Sequence, residues 1–125
     1  MTEKSVLFVD DNPLNRKLMT DLLRALGCQV HCVASGAQAL ARIAEMPPAL
    51  ILLDIMMPEM DGFEVVRRLK SKPATRAIPV VVISALDDEG SRSRLLAAGV
   101  DSLLTKPIDR WQLKAVIERL LSLTE

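Results

Sequence analysis

The sequence predicts an α/β fold: a doubly wound, five-stranded parallel sheet with helices on both faces. Two observations lead to this prediction. Apolar runs of strand length alternate with helical patterns five times along the 125 residues, and the central run, Leu50 to Leu53, contains no polar residue. Such a run suits a strand that is buried on both faces. Strands that alternate with helices form parallel sheets covered on both sides, because each crossover is right-handed.

The first strand–helix unit is marked by its capping residues. An apolar run from Ser5 to Val9 ends in Asp10-Asp11, and Asn12-Pro13 follows as an N-cap residue with proline at the first helical position. Leucine then recurs at every fourth position, which predicts an amphipathic helix with a leucine stripe as its apolar face, ended by Gly27. The stripe consists of Leu14, Leu18, Leu22 and Leu26.

The second and third units continue the pattern. A weaker strand at 29–33 precedes Ser35-Gly36-Ala37-Gln38, a capping box that opens a helix, and Pro47-Pro48 stop that helix. The central strand then runs into a single carboxylate, Asp54, before Asp61-Gly62 mark a loop. A charge at the end of a buried strand costs free energy unless something pairs with it. Asp54 therefore needs a functional explanation.

The remaining units are bounded by capping and breaking residues. Asp61 is predicted to cap the third helix and Asp109 the fifth, while Pro79 opens the fourth strand and Gly99 stops the fourth helix. Trp111, the lone tryptophan, is predicted to pack the last helix against the core, with partner binding as the alternative. The predicted strands are 80–83 and 103–105, and the fourth helix ends at Ala98.

Composition excludes several classes of protein. Sixteen basic residues balance sixteen acidic ones, so no global charge attracts nucleic acid or an anionic membrane. The apolar run near the N-terminus is too short for a signal peptide or a membrane span, so we expect a cytoplasmic protein with one domain, residues 1–125. Cys28 and Cys32 would lie about 13 Å apart along a strand, too far for a disulfide. His31 points to the opposite face, which argues against zinc.

Chemically active residue types gather where the strands end. Because the carboxyl ends of parallel strands meet at one edge of the sheet, these side chains should lie close together. Two carboxylates at 4 Å repel by about 4 kcal/mol at an effective dielectric of about 20. A site with three carboxylates therefore needs a cation to offset their mutual repulsion. Oxygen ligands favour Mg²⁺, with Mn²⁺ as the alternative. The strand ends carry Asp10-Asp11, Asp54, Ser84 and Lys106.

A metal site, a hydroxyl, an ammonium group and a carboxylate nucleophile form a set suited to phosphoryl transfer. Asp54 can take a phosphoryl group as an acyl phosphate. Ser84 would donate a hydrogen bond to one phosphoryl oxygen, and Lys106 would neutralise charge on the others.

The chain resembles the response-regulator receiver domains of two-component signalling over nearly its whole length. The resemblance rests on the acids, the hydroxyl and the lysine in the family's order, each at a strand end, together with Met57-Pro58-Glu59-Met60-Asp61-Gly62 and Lys106-Pro107. It implies the flavodoxin-like (βα)5 fold with strand order 2-1-3-4-5.

The resemblance also implies a role for each site residue. Asp54 would accept the phosphoryl group from a phosphohistidine of a sensor histidine kinase or a phosphotransfer protein. Asp11 and Asp54 would bind Mg²⁺ directly with the backbone carbonyl of Met56, and Asp10 would act mostly through a metal-bound water. Lys106 would bridge the phosphoryl group and the acids, preceding a cis peptide bond. The domain would catalyse only its own phosphorylation and dephosphorylation.

The resemblance further implies a downstream effector domain or protein, which the sequence does not identify. The family docks partners, or dimerises on phosphorylation, through the last two helices and the fifth strand. We expect no direct contact with nucleic acid or membrane.

The sequence departs from the family in two respects. Many receivers carry an aromatic residue three positions before the lysine, where this chain has Leu103. Switching is therefore expected to rely on the loop after Ser84. Met56 and Leu86 flank the expected phosphoryl position, and neither can orient an attacking water, so slow self-dephosphorylation is expected.

The sequence argues against three alternative functions. An aspartate-based phosphohydrolase resembling the haloacid-dehalogenase group would need an acid two residues after the nucleophile, where Met56 stands. A flavin-binding protein would need a Ser/Thr-rich loop after the first strand. A phosphorylation-independent binding module would not need the complete set of acids, hydroxyl and lysine.

Overall fold

The computed structural model describes residues 4–54, 62–84, 89–105 and 108–122. In these ranges five strands alternate with five helices, as predicted, and each strand begins and ends within one residue of its predicted bounds. The elements are β1 Lys4–Val9, α1 Pro13–Ala25, β2 Cys28–Val33, α2 Gly36–Glu45, β3 Leu50–Asp54, α3 Gly62–Lys70, β4 Val80–Ser84, α4 Glu89–Ala97, β5 Ser102–Thr105 and α5 Arg110–Ser122.

The five strands form one parallel sheet in the order β2-β1-β3-β4-β5. This order confirms the doubly wound, flavodoxin-like prediction. β3 lies at the centre, between β1 and β4, and its residues 50–53 are fully buried. Because β1 and β3 are neighbours in a parallel sheet, their carboxyl ends lie side by side.

Two apolar layers cover the two faces of the sheet. Alternate residues of β3 supply both layers, since successive strand side chains point to opposite faces. Leu50 and Leu52 pack with buried residues of α1 and α5, whereas Ile51 and Leu53 pack with those of α2, α3 and α4. Leu103, at the position expected for an aromatic residue, is half-buried against the second of these layers.

The prediction of a buried leucine stripe on α1 was wrong. Met19 and Leu23 are the buried residues of this helix, while Leu14 is 62% exposed and Leu18 is 54% exposed. A four-residue step overshoots a helical turn by about 40°, so the stripe rotates around the helix axis along its length. It is exposed at the N-terminus of α1 and half-buried at Leu22 and Leu26.

The predicted caps at two helix starts are confirmed. Oδ1 of Asn12 accepts hydrogen bonds from the backbone N–H groups of Leu14 and Asn15 at 2.8 and 3.2 Å. Oγ of Ser35 accepts from the N–H of Gln38 at 3.1 Å, and the Gln38 side chain accepts from the N–H of residue 34, one residue earlier than in a standard capping box. Both caps pair backbone donors that the helix leaves open.

The remaining caps also follow the predictions where they are described. Asp109 accepts from the N–H of Trp111 at 2.8 Å, and Gly27 adopts a φ of +87° just after Leu26, the C-cap residue of α1. The predicted cap Asp61 lies outside the described residues. The fourth helix ends at Ala97, one residue earlier than predicted.

The prediction that Trp111 packs against the core was wrong. Its side chain is 69% exposed, and the cationic groups of Arg110 and Lys114 lie 5.7 and 5.9 Å from its rings. Trp111 is the second residue of α5, whereas the buried face of that helix begins at Leu113. A position two residues away is turned by about 200° and so faces the solvent.

The cysteines carry no disulfide, as predicted, and the first of them is buried. Nδ1 of His31 faces a guanidinium nitrogen of Arg42 at 3.2 Å, and because a guanidinium only donates, the ring accepts this bond.

None of the described helices has the length and apolar character that a bilayer-spanning segment requires.

Candidate metal centre at the carboxyl edge of the sheet

Three carboxylates meet where β1 and β3 end. One oxygen atom from each of Asp10, Asp11 and Asp54 lies within 4.8 Å of the other two. The register that pairs Val9 with Leu53 produces this arrangement, because it ends both strands at the same level. The sequence prediction that these acids lie together is therefore confirmed.

The three acids differ in exposure. Asp10 is 2% exposed and Asp54 is 6% exposed, whereas Asp11 is exposed. Two of the three carboxylates thus lie inside the protein, and the third lies at its surface. Such an arrangement leaves an approach from solvent along the Asp11 side.

Asp10 is held at four points. Its Oδ1 accepts from the backbone N–H of Asn12 at 2.9 Å, and its Oδ2 accepts from the side-chain amide of Asn15 at 3.2 Å. Its carbonyl oxygen accepts from Nη1 of Arg16 at 2.8 Å, and its N–H donates to the carbonyl of Val33 at 3.2 Å. The N-terminus of α1 and the end of β2 thereby fix both the backbone and the side chain of this acid.

Electrostatics make the cluster costly without a cation. Two unit charges about 4.8 Å apart repel by about 3 to 4 kcal/mol at an effective dielectric of about 20. The hydrogen bonds that the Asp10 carboxylate accepts offset part of this repulsion, because each N–H donor places a positive partial charge next to it. A cation bound among these oxygens would relieve the remaining repulsion.

The donor set fits magnesium. Every member offers carboxylate oxygen, the ligand type that Mg²⁺ prefers, and the cluster contains no thiol or imidazole. Mg²⁺ usually retains several waters and takes only one or two carboxylates directly. Because Asp11 is exposed, solvent can reach this side of the cluster and supply those waters. Among the described residues, no other group of three or more metal-ligating side chains meets the same distance criterion.

The other predicted site residues are described only in part. Ser84 ends β4, and its neighbour Ile83 pairs with Asp54, so the backbone of Ser84 lies at the same edge of the sheet. The Ser84 side chain, Met56 and Lys106 lie outside the described parts of the chain, as do Leu86 and Pro107. The roles predicted for them stay predictions.

Sequence reasoning missed two residues that contact the acid cluster. Asn15 and Arg16 lie in the first turn of α1, and both reach back to Asp10. The signal available was positional: a helix that starts directly after Asp10-Asp11 returns its first polar side chains to the end of the strand.

Known proteins resemble this chain in sequence. The family model for the response regulator receiver domain matches residues 6–118. Response regulator PleD of Caulobacter vibrioides is 47% identical over 115 residues, which cover 92% of this chain and 25% of PleD. Polar-differentiation response regulator DivK of Brucella ovis is 41% identical over 105 residues, 84% of this chain and 85% of DivK. The chain therefore spans about a quarter of PleD and most of DivK.

Solved structures give the same result. A signal receiver domain of a histidine kinase from Syntrophus aciditrophicus is 35% identical with a TM-score of 0.89, over 95% of this chain and 90% of that one. The receiver domain of a sensor histidine kinase from Pseudomonas aeruginosa, with magnesium coordinated in its active site cleft, is 30% identical with a TM-score of 0.88, over 97% and 99%. By sequence and by fold, this chain belongs to the family of response regulator receiver domains, the phosphoryl-accepting signalling domains of two-component systems.

Proposed function

We propose that Asp54 is the phosphoacceptor of this receiver domain and that it receives its phosphoryl group from a phosphohistidine on a sensor histidine kinase or a phosphotransfer protein. One observation carries the proposal. Asp54 closes the central strand as a nearly buried carboxylate and lies within 4.8 Å of the two acids that follow β1. Burying a carboxylate at the end of an otherwise apolar strand costs free energy, and such costs are typical of functional sites.

The reaction is a displacement at phosphorus. An oxygen of Asp54 forms the new bond to phosphorus while the bond between phosphorus and the donor imidazole breaks, and its electron pair stays on the imidazole. The product is an acyl phosphate, and the imidazole then takes a proton from solvent. The rigid central strand holds the attacking oxygen in place, which lowers the entropic part of the barrier.

In this proposal Asp11 and Asp54 would hold Mg²⁺ with the carbonyl of Met56, and Asp10 would contribute through water. The dication supplies neutralisation of charge on the phosphoryl oxygens. Mn²⁺ shares the preference for oxygen ligands and is the alternative ion. Ser84 and Lys106 would stabilise the same oxygens, by a hydrogen bond and by charge.

The wider proposal concerns the role of the protein in signalling. We propose a single receiver domain over residues 1–125 that works in the cytoplasm, modifies only itself and changes its contact with an effector domain or protein. The support is that the family model matches residues 6–118 and that the match to DivK extends over 85% of that protein. Dimerisation on phosphorylation is part of the proposal and would appear as a change of mass in sedimentation.

Labelling with acetyl phosphate tests the proposed acceptor. We expect the intact mass to increase by one phosphoryl group per chain in the presence of MgCl₂ and to stay unchanged in EDTA. Asp54→Asn should abolish the label, whereas the matched control Asp21→Asn, an exposed aspartate on α1, should retain it.

Three results would contradict the proposal. Label that persists in Asp54→Asn would assign the acceptor to another residue. Continuous release of phosphate from an added monoester would favour the phosphohydrolase. Absence of label in the parent chain, with Mg²⁺ present, would favour a binding module.

A further inference from the structure

Asp10 is held by hydrogen bonds to both its backbone and its side chain. Its N–H, its carbonyl and both of its carboxylate oxygens each have a partner at 3.2 Å or less. Three of these four contacts use backbone atoms of Asp10 or of Asn12. Of these four contacts, the one from Asn15 joins two side chains, so a substitution at Asn15 removes a partner of the carboxylate without altering any backbone group.

Asn15 is not needed to cap α1. The backbone donors at the start of the helix are already paired by Oδ1 of Asn12, which accepts from residues 14 and 15. In a capping box, the third helical residue turns its side chain to the N-cap N–H. Asn15 occupies that position but donates to Asp10 instead, and the Asn12 N–H is paired with the other oxygen of Asp10.

We propose that Asn15 is a positioning residue for the magnesium site, and that its amide sets the plane in which the Asp10 carboxylate faces the ion and its waters. The inference rests on the proposed function, because it concerns the same site. Hydrogen bonds to acids that surround a metal fix the direction of their remaining lone pairs. An amide on Oδ2 and a backbone N–H on Oδ1 together prevent the carboxylate from rotating about its χ2 bond.

The test is the magnesium affinity of Asn15→Leu, measured by calorimetry with MgCl₂. Leucine has nearly the shape of asparagine and cannot donate. It has room, because Asn15 borders a cavity of about 320 Å³ with a mostly apolar lining. We expect the Kd for Mg²⁺ to rise about ten-fold, the low end of the range typical for such outer partners. Asn15→Ala makes the same deletion if the leucine variant does not fold.

Two further variants separate positioning from structure. Asn15→Gln keeps the amide and should recover most of the lost affinity. Ser35→Ala removes the N-cap of α2, a residue outside the acid cluster, so it should lower the urea midpoint and leave the Kd within about two-fold. In the parent chain, the side-chain amide resonances of Asn15 should shift on titration with MgCl₂.

The outcomes distinguish the inference from the function beneath it. If the parent chain binds Mg²⁺ and Asn15→Leu binds it equally well, the positioning role is wrong and the proposed function stands. If Ser35→Ala weakens binding as much as Asn15→Leu, the effect follows from lost stability and not from positioning, and the inference fails. If the parent chain binds no Mg²⁺, both fail together.

Discussion

Asp11 carries an electrostatic cost because it belongs to the acid cluster. It is the exposed member of a trio in which Asp10 and Asp54 are buried, and it brings a third negative charge within 4.8 Å of the other two. Solvent screens an exposed charge, so its repulsion is weaker than that between the buried pair. Folding without a cation must nevertheless overcome it.

Asp11→Asn should therefore stabilise the metal-free protein. Removing one charge while keeping the shape is expected to raise the unfolding free energy in EDTA by about 1 kcal/mol. In MgCl₂ the gain should shrink or reverse, because an amide is a poorer ligand than a carboxylate. Urea unfolding in the two buffers measures both effects. Asp21→Asn is the control, and no gain in EDTA would show that the repulsion is already neutralised.

Glu64 predicts a dependence of stability on pH. Hydrogen bonds from the Arg67 and Arg68 guanidinium groups, at 2.9 and 3.0 Å, lower the pKa of this carboxyl to about 2 from its ordinary value of 4.5. Because the folded-state pKa is the lower one, Glu64 stabilises the fold above pH 4.5 and loses that contribution as the pH falls towards 2.

Glu64→Gln should make the stability of the protein less sensitive to acid in that window. The comparison is the change of urea midpoint between neutral pH and pH 3 in parent and variant, with Glu45→Gln as the control at another exposed helical glutamate. The effect should be small, because exposed ion pairs contribute little. Equal acid sensitivity in parent and Glu64→Gln would contradict the expected linkage.

At the scale of elements, α1 shows how a periodic pattern can mislead. Its leucines repeat every four residues, yet the residues that reach the core are Met19 and Leu23, of which Leu23 is fully buried. The position of the helix is set by its connections to β1 and β2 at its two ends. The side chains on the face that is then turned towards the sheet are the ones that become buried.

Leu23→Ala and Leu18→Ala should differ sharply, although both remove the same atoms from the same helix. The first leaves a cavity beneath α1 and should cost about 3 kcal/mol of unfolding free energy. The second alters a side chain that is 54% exposed and should cost less than about 0.5 kcal/mol. Chemical denaturation of the two variants gives the comparison. Similar losses would mean that α1 packs by its leucine stripe after all.

Contacts between elements also matter on the other face. The guanidinium of Arg94 on α4 lies 4.1 Å from the ring centre of Phe63 on α3, a cation–π contact between neighbouring helices. Phe63 packs in part against the buried layer beneath it. Its ring therefore links α3, α4 and the core.

At the scale of the whole molecule, much of the fold could be predicted from the sequence. The apolar runs, the prolines and the caps Asn12, Ser35 and Asp109 are local signals, so the elements and their bounds followed from them. The strand order needed the family resemblance, because periodicity does not reveal which strands are neighbours. The orientation of α1 and the exposure of Trp111 depend on tertiary packing, which no local pattern contains.

The candidate site was predictable to a similar extent. Asp10, Asp11 and Asp54 could be grouped in advance because parallel strands bring their carboxyl ends to one edge. Asn15 and Arg16 were harder to assign, since an asparagine and an arginine in a first helical turn are ordinary surface residues by type. Their position just after the acids was the one signal, and their distances to Asp10 show the contact.

The position of β3 in the sheet leads to a prediction for hydrogen exchange. The strand pairs with neighbours on both sides and its residues 50–53 have no exposed surface, so its amides should exchange only when the whole protein unfolds. Amides of β2, which lies at the edge of the sheet, should exchange by smaller openings. Exchange of β3 at the rate of β2 would contradict this order.

The central place of Asp54 has a consequence for how a signal would leave the site. A modified side chain at the end of a strand that is paired on both sides and buried along its length has little freedom to move in response to its new charge. The added phosphate would therefore act as a fixed electrostatic anchor, and any shape change read by a partner must come from surrounding segments drawn towards it.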